Sequence, residues 1–138
     1  MLQEDKELLL KDLCARLPYS IKIRYVFNGE DCVSTIEKID SFGYIWDDYQ
    51  GCYHIREIKP YLFPMSSMTE EQEEELKNIY YRYNGMFQYT QRIFDRIPFS
   101  EMKYFPYQIE EFFNKNHIDY RGLIPMGLAK DATGLNIY

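Results

Sequence analysis

The sequence is poor in histidine, cysteine and tryptophan, and each shortage closes off some chemistry. Two histidines (His54, His117) and three cysteines (Cys14, Cys32, Cys52) are scattered along 138 residues. There is no CxxC pair, no H-E-x-x-H, no Gly-rich phosphate loop and no G-x-S-x-G elbow. Zinc, P-loop and hydrolase chemistry therefore lack their motifs. Cys52 and His54 would share one face of a strand, but two ligands do not close a tetrahedral site. The chain is expected to bind no metal and no cofactor, with its cysteines reduced and packing as small hydrophobes. Basic charge is short as well: 16 Lys and Arg against 22 Asp and Glu give a net charge of −6. That balance excludes an electrostatic footprint for duplex nucleic acid. No apolar run approaches the ~20 residues of a membrane helix. The opening residues Gln3, Glu4, Asp5 and Lys6 do not read as a signal peptide. No membrane contact is expected, and the expected compartment is the cytoplasm.

Aromatic side chains are abundant: 14 Tyr and 9 Phe join the single Trp. They are densest from Tyr80 to Tyr107, where 10 of 28 residues are aromatic. A tyrosine hydroxyl must find water or a partner, so such a stretch suits a half-wet surface as well as a core. It is the expected route to any oligomer.

Periodicity divides the single expected domain, 1–138, into three parts. Residues 1–19 read as a helix from Asp5, as cap, to Leu17, ended by Pro18. Its apolar stripe is Leu10, Leu13, Cys14 and Leu17; Lys6, Glu7, Lys11, Asp12 and Arg16 form a solvated face. Residues 20–64 alternate with period two and are broken by Asn28-Gly29, Asp40 to Gly43 and Asp48 to Gly51, which predicts an antiparallel meander. Ile58 to Phe63 reads as a last strand, kept to an edge by Pro60 and Pro64. Residues 69–138 are expected to be mainly helical. Thr69 to Gln72 fits a capping box, Gln88 to Ile97 forms a helix, and Pro106 opens another that buries Ile109, Phe112 and Phe113. The tail docks through Leu123, Ile124, Met126 and Leu128, and His117 makes a helix-end or turn hydrogen bond. The fold class is α+β: a small antiparallel meander or SH3-like bent sheet flanked by helices.

No catalytic constellation emerges, and the sequence leans away from an enzyme. Two clusters stand as candidate ligand sites. Tyr44, Trp46, Tyr53 and Arg56 lie on and after the second hairpin, together with Tyr49. Tyr120 and Arg121 follow Asp119 in a turn, where Asp119 and Arg121 can instead pair with each other or with the backbone. Aromatic faces stack on nucleobases and arginine grips phosphate through two hydrogen bonds, so both clusters suit a small nucleotide. Trp46 and the tyrosines serve equally well as packing residues.

The stretches KELLLKDLCARLPYS (Lys6 to Ser20), IKPYLFPMSSMTEEQEEEL (Ile58 to Leu76) and NKNHIDYRGLIPMGLA (Asn114 to Ala129) resemble a family of small proteins encoded by phages and prophages of gut anaerobes. Family members often carry Gly where Ser20 stands and Arg where Phe63 stands, with a shorter region in place of Tyr80 to Tyr107. The resemblance implies a phage-type protein acting in the cytoplasm of a bacterial host cell. It brings no functional residues with it. In that setting the expected role is a binding protein that counters host defence by sequestering a nucleotide signal. The alternatives are a protein inhibitor of a host effector, working through the Tyr-rich stretch or the glutamates from Glu70 to Glu75, and a minor virion component.

Overall fold

A computed structural model describes residues 1–84 and 107–138. Three α-helices are found among them: α1 (Gln3–Arg16), α2 (Glu70–Asn84) and α3 (Tyr107–Lys115). Seven strands form one mixed sheet: β1 (Lys22–Phe27), β2 (Glu30–Ile39), β3 (Ile45–Asp47), β4 (Cys52–Tyr53), β5 (Lys59–Pro64), β6 (Ile118–Asp119) and β7 (Lys130–Asp131). The fold is α+β and the sheet does not close into a barrel. The expected helix at Gln88 to Ile97, and residues 85–106 of the Tyr80–Tyr107 stretch, lie outside the described residues.

The first four strands form the expected meander, each antiparallel to the one before. Asn28 and Gly29, at φ 51° and 79°, supply the two left-handed residues of a tight primed turn. At the next two turns an aspartate replaces missing backbone partners. Asp40 Oδ1 accepts the N–H groups of Phe42 and Tyr44, and Asp47 Oδ1 accepts those of Tyr49 and Gly51. The β2–β3 register shifts between Ile36 and Lys38, and Asp48 Oδ1 accepts the Thr35 N–H beside that irregularity.

β4 is shorter than expected. It ends at Tyr53 because the His54 ring and the Glu57 carboxylate cap a 3₁₀ turn, Ile55–Glu57. Cys52 and His54 are therefore not two residues of one strand face. β5 is not an edge strand: it pairs antiparallel with β1 and parallel with both β6 and β7. Its prolines stand near the two ends of the strand. The non-proline residues between them carry the bonds, with the Phe63 N–H on His117 O and Leu62 O accepting from the Ala132 N–H. The part expected to be mainly helical thus also supplies two strands. Of the four tail residues expected to dock, Leu123 and Leu128 are buried and Ile124 packs against the core, whereas Met126 is exposed.

Two apolar clusters result. The larger gathers Leu9, Leu13, Ile21, Ile23, Ile36, Ile45, Ile58, Leu62 and Leu123; the smaller joins Leu76, Ile109, Phe112, Phe113, Ile118 and Tyr120. Helix α1 requires the main correction to the sequence reading. Its inward stripe is Leu9, Asp12, Leu13 and Arg16, all fully buried, while Cys14 is exposed. The spacing of this stripe equals that of Leu10, Leu13, Cys14 and Leu17, shifted by one position, so periodicity alone does not choose between them. The helix also starts without a side-chain cap. Leu2 precedes it, and Asp5 lies in the first turn, where its charge favours the helix dipole.

Candidate functional site

Below Arg24 the β1 strand loses its partner on one side. Only Ile23 and Arg24 pair with β5, at Pro60 and Lys59, although β1 pairs with β2 along its whole length. A groove of about 520 Å³ opens along this bare edge, lined by Arg24, Tyr25, Val26, Tyr53, Arg56 and Glu57. Consecutive strand residues point to opposite faces, so a groove lined by Arg24, Tyr25 and Val26 together runs along an edge. The opposite wall is the 3₁₀ turn after β4, which brings Arg56 and Glu57 up to β1.

The local structure fixes the side chains of Tyr25, Tyr53 and Glu57. Tyr25 and Tyr53 pack ring to ring, with centroids 5.1 Å apart and planes inclined by 36°. The Tyr53 hydroxyl donates to Asp47 Oδ2 at 3.0 Å. Burial, and then that carboxylate, raise the phenol pKa of Tyr53; burial also raises that of Tyr25. Both phenols therefore remain neutral donors. The Glu57 Oε2 accepts the His54 N–H at 2.9 Å, and His54 Nδ1 accepts the Arg56 N–H at 3.4 Å. Neither Arg24 nor Arg56 takes part in an ion pair among the described residues. The Arg24 Nε is buried and has no acceptor among the described residues. Two guanidiniums without an ion pair among the described residues thus line the same groove as an aromatic pair and one carboxylate, Glu57, in a chain of net charge −6.

Of the residues singled out from sequence, Tyr53 and Arg56 line this groove. Tyr44 is not part of its lining; its ring makes a T-shaped contact with His54, centroids 6.0 Å apart. Trp46 is a hairpin brace: its indole N–H donates to Asp40 Oδ2 at 3.0 Å, and Lys38 Nζ lies 4.9 Å from the ring centroid. That indole bond is the main reason the Asp40 carboxyl is held below its usual range.

Tyr120 and Arg121 lie elsewhere, within an ion network. Tyr120 is buried and stacked on Phe113 at 5.1 Å, and its hydroxyl accepts from Arg121 at 2.7 Å. Arg121 does not pair with Asp119; its Nε donates to Asp12, and Asp119 accepts the N–H groups of Leu123 and Ile124. Sequence reasoning missed Arg24, Tyr25 and Glu57. Their alternation in β1 and their place after a turn carry no signal that distinguishes a groove wall from a plain surface. A second depression of about 750 Å³ lies along α2, lined by Glu70, Glu71, Glu74 and Glu75, and its charge is wrong for an anion.

Among the described residues no group of three or more His, Cys, Asp or Glu is placed to hold a metal, and the three thiols are free. Cys14 and Cys52 are exposed and Cys32 is half-buried, so they do not pack as core hydrophobes. No described helix is long and apolar enough to cross a membrane. Comparison with protein-family models, with curated proteins and with solved structures finds no match to this chain.

Proposed function

We propose that this protein is a non-enzymatic binding protein that sequesters a small nucleotide in the groove along β1. The supporting observation is the joint presence of Arg24, Arg56, Tyr25 and Tyr53 around one opening of about 520 Å³. That volume lies within the roughly 300–1,000 Å³ range of small-molecule sites. The guanidiniums would take the phosphate through charge-assisted hydrogen bonds and the tyrosine pair would stack the base. Taken with what the sequence resemblance implies, the role we propose is that of a sponge, in the cytoplasm of a phage-infected bacterium, for a nucleotide signal that serves host defence.

Calorimetry with a panel of linear and cyclic nucleotides tests the reading. Arg24→Ala and Arg56→Ala should each weaken binding by about 10- to 150-fold, the worth of a charged hydrogen bond at roughly 1.5–3 kcal/mol. No heat with any nucleotide would instead favour the protein-inhibitor reading. The observation on that side is the exposure of Phe27, Phe42 and Tyr49 at the hairpin turns.

A further inference from the structure

The groove carries two features that binding a phosphate and stacking a ring do not use. One is the Glu57 carboxylate. The bond from the His54 N–H holds its Oε2 in place, while Oε1 has no protein donor among the described residues. A free acid in an otherwise cationic anion site costs affinity for phosphate unless it binds something else. The other feature is the main chain of Val26. Along β1, alternate residues turn their N–H and C=O to the same edge. The Lys22 N–H faces away from β2, donating to the Tyr138 hydroxyl at 2.9 Å, so those of Arg24 and Val26 face that way too. Arg24 is met there by Lys59, but the pairing stops before Val26. The Val26 N–H and C=O therefore face this bare edge without a strand partner among the described residues, and Val26 and Glu57 line the same groove.

We propose that this groove selects a guanine base. The inference rests on the nucleotide reading given above. Guanine presents two adjacent donors, N1–H and the N2 amino group, which a carboxylate accepts together, and beside them the acceptor O6, which suits a main-chain N–H. Adenine and cytosine would turn a ring-nitrogen acceptor toward Glu57, setting lone pair against lone pair. Uracil offers one donor where guanine offers two. Glu57 thus recognises the base, Arg24 and Arg56 hold the phosphate, and Tyr25 with Tyr53 supplies the ring face.

The test is calorimetry of the whole chain with 5′-GMP, IMP, AMP and UMP, on the natural protein and on Glu57→Gln. Glutamine keeps an oxygen for the His54 N–H, so the cap and the turn are retained. GMP should bind about tenfold or more tightly than AMP, with IMP in between because it lacks the N2 amino group. Glu57→Gln should erase that order while AMP binds as well as before or better. Equal affinities for all four nucleotides on the natural protein would overturn guanine selection and leave the nucleotide reading standing. A uniform gain for every nucleotide on Glu57→Gln would also overturn it, since the carboxylate would then act by charge alone. The absence of binding by any of the four would overturn both.

Discussion

The Arg121 Nε donates to Asp12 Oδ1 at 3.1 Å across 109 positions of sequence, tying the C-terminal segment to the first helix. The other carboxylate oxygen accepts from Arg16 Nε at 2.8 Å, one turn further along the same helix. The two other guanidinium nitrogens of Arg16 each donate to a carbonyl, that of Phe113 at 3.4 Å and that of Ile118 at 2.7 Å. The Phe113 carbonyl lies in the last turn of α3, where a cation also favours the helix dipole. One fully buried carboxylate and one fully buried guanidinium thus link α1, α3 and β6, between the two apolar clusters. Arg121 faces the network from its rim, with 14% of its side chain exposed.

This arrangement reverses the expectation that Arg16 lies on a solvated face. Arg16→Ala removes the main counter-charge of a buried Asp12 and the guanidinium bonds to the Phe113 and Ile118 carbonyls. Breaking a buried pair from one side costs about 3–5 kcal/mol. Arg121→Ala, at the rim, should cost closer to 1–2 kcal/mol, because water reaches the vacated oxygen. Urea denaturation of the two variants checks the order; equal midpoints would mean that the buried and the rim arginine count alike, and a natural midpoint for Arg121→Ala that it does not hold the C-terminal segment down.

Gly51 controls how Tyr53 reaches the groove. A Cβ at Gly51 would lie 2.5 Å from the Tyr53 hydroxyl and 3.1 Å from Asp47 Oδ1, so the ring and its acceptor occupy that space. Gly51→Ala must push the phenol off Asp47 and tilt it against Tyr25. We expect a loss of about 1–3 kcal/mol of stability from the overpacked contact. If the groove binds its ligand through Tyr53, affinity should fall with it. Tyr53→Phe provides the control: it loses the hydrogen bond to Asp47 and keeps the ring. Calorimetry and denaturation on both variants separate a stability effect from a stacking effect.

Features set by neighbouring residues were legible in the sequence. The Asn28-Gly29 hairpin formed as read, and so did the Thr69 box, with Gln72 Oε1 accepting the Thr69 N–H at 3.0 Å and Thr69 Oγ1 accepting the Gln72 N–H at 3.1 Å. What stayed hidden depends on distant parts of the chain. Nothing near Arg16 announces that Phe113 and Ile118 will supply acceptors for it. Nothing in Ile118-Asp119 or Lys130-Asp131 marks a two-residue strand, since each exists only because β5 offers an edge. The candidate site divides the same way. Tyr53 and Arg56 could be picked because they are close in sequence, whereas Arg24 and Tyr25 join them only through the sheet.

The His117 ring makes stability depend on pH in a defined window. It stacks on Tyr138 with centroids 3.8 Å apart and planes inclined by 15°, and its Nδ1 is buried without a partner among the described residues. Burial first, and then the charge of Arg16, lower its pKa from 6.5 to about 4. Between those values the unfolded chain holds a proton on this residue and the folded chain does not. Stability is therefore fully present above the unfolded pKa and is lost as pH falls from 6.5 toward 4. With the ring only partly buried, the loss should be on the order of 1–2 kcal/mol. Carboxylates such as Asp40 titrate lower and appear in every variant, so the comparison to make is with His117→Asn. Asparagine tolerates the left-handed backbone that His117 adopts at φ 58° and carries no titratable group. Urea midpoints measured at about pH 7 and about pH 4.5 should fall further for the natural protein than for the variant. Equal falls would mean that the buried ring does not couple to folding.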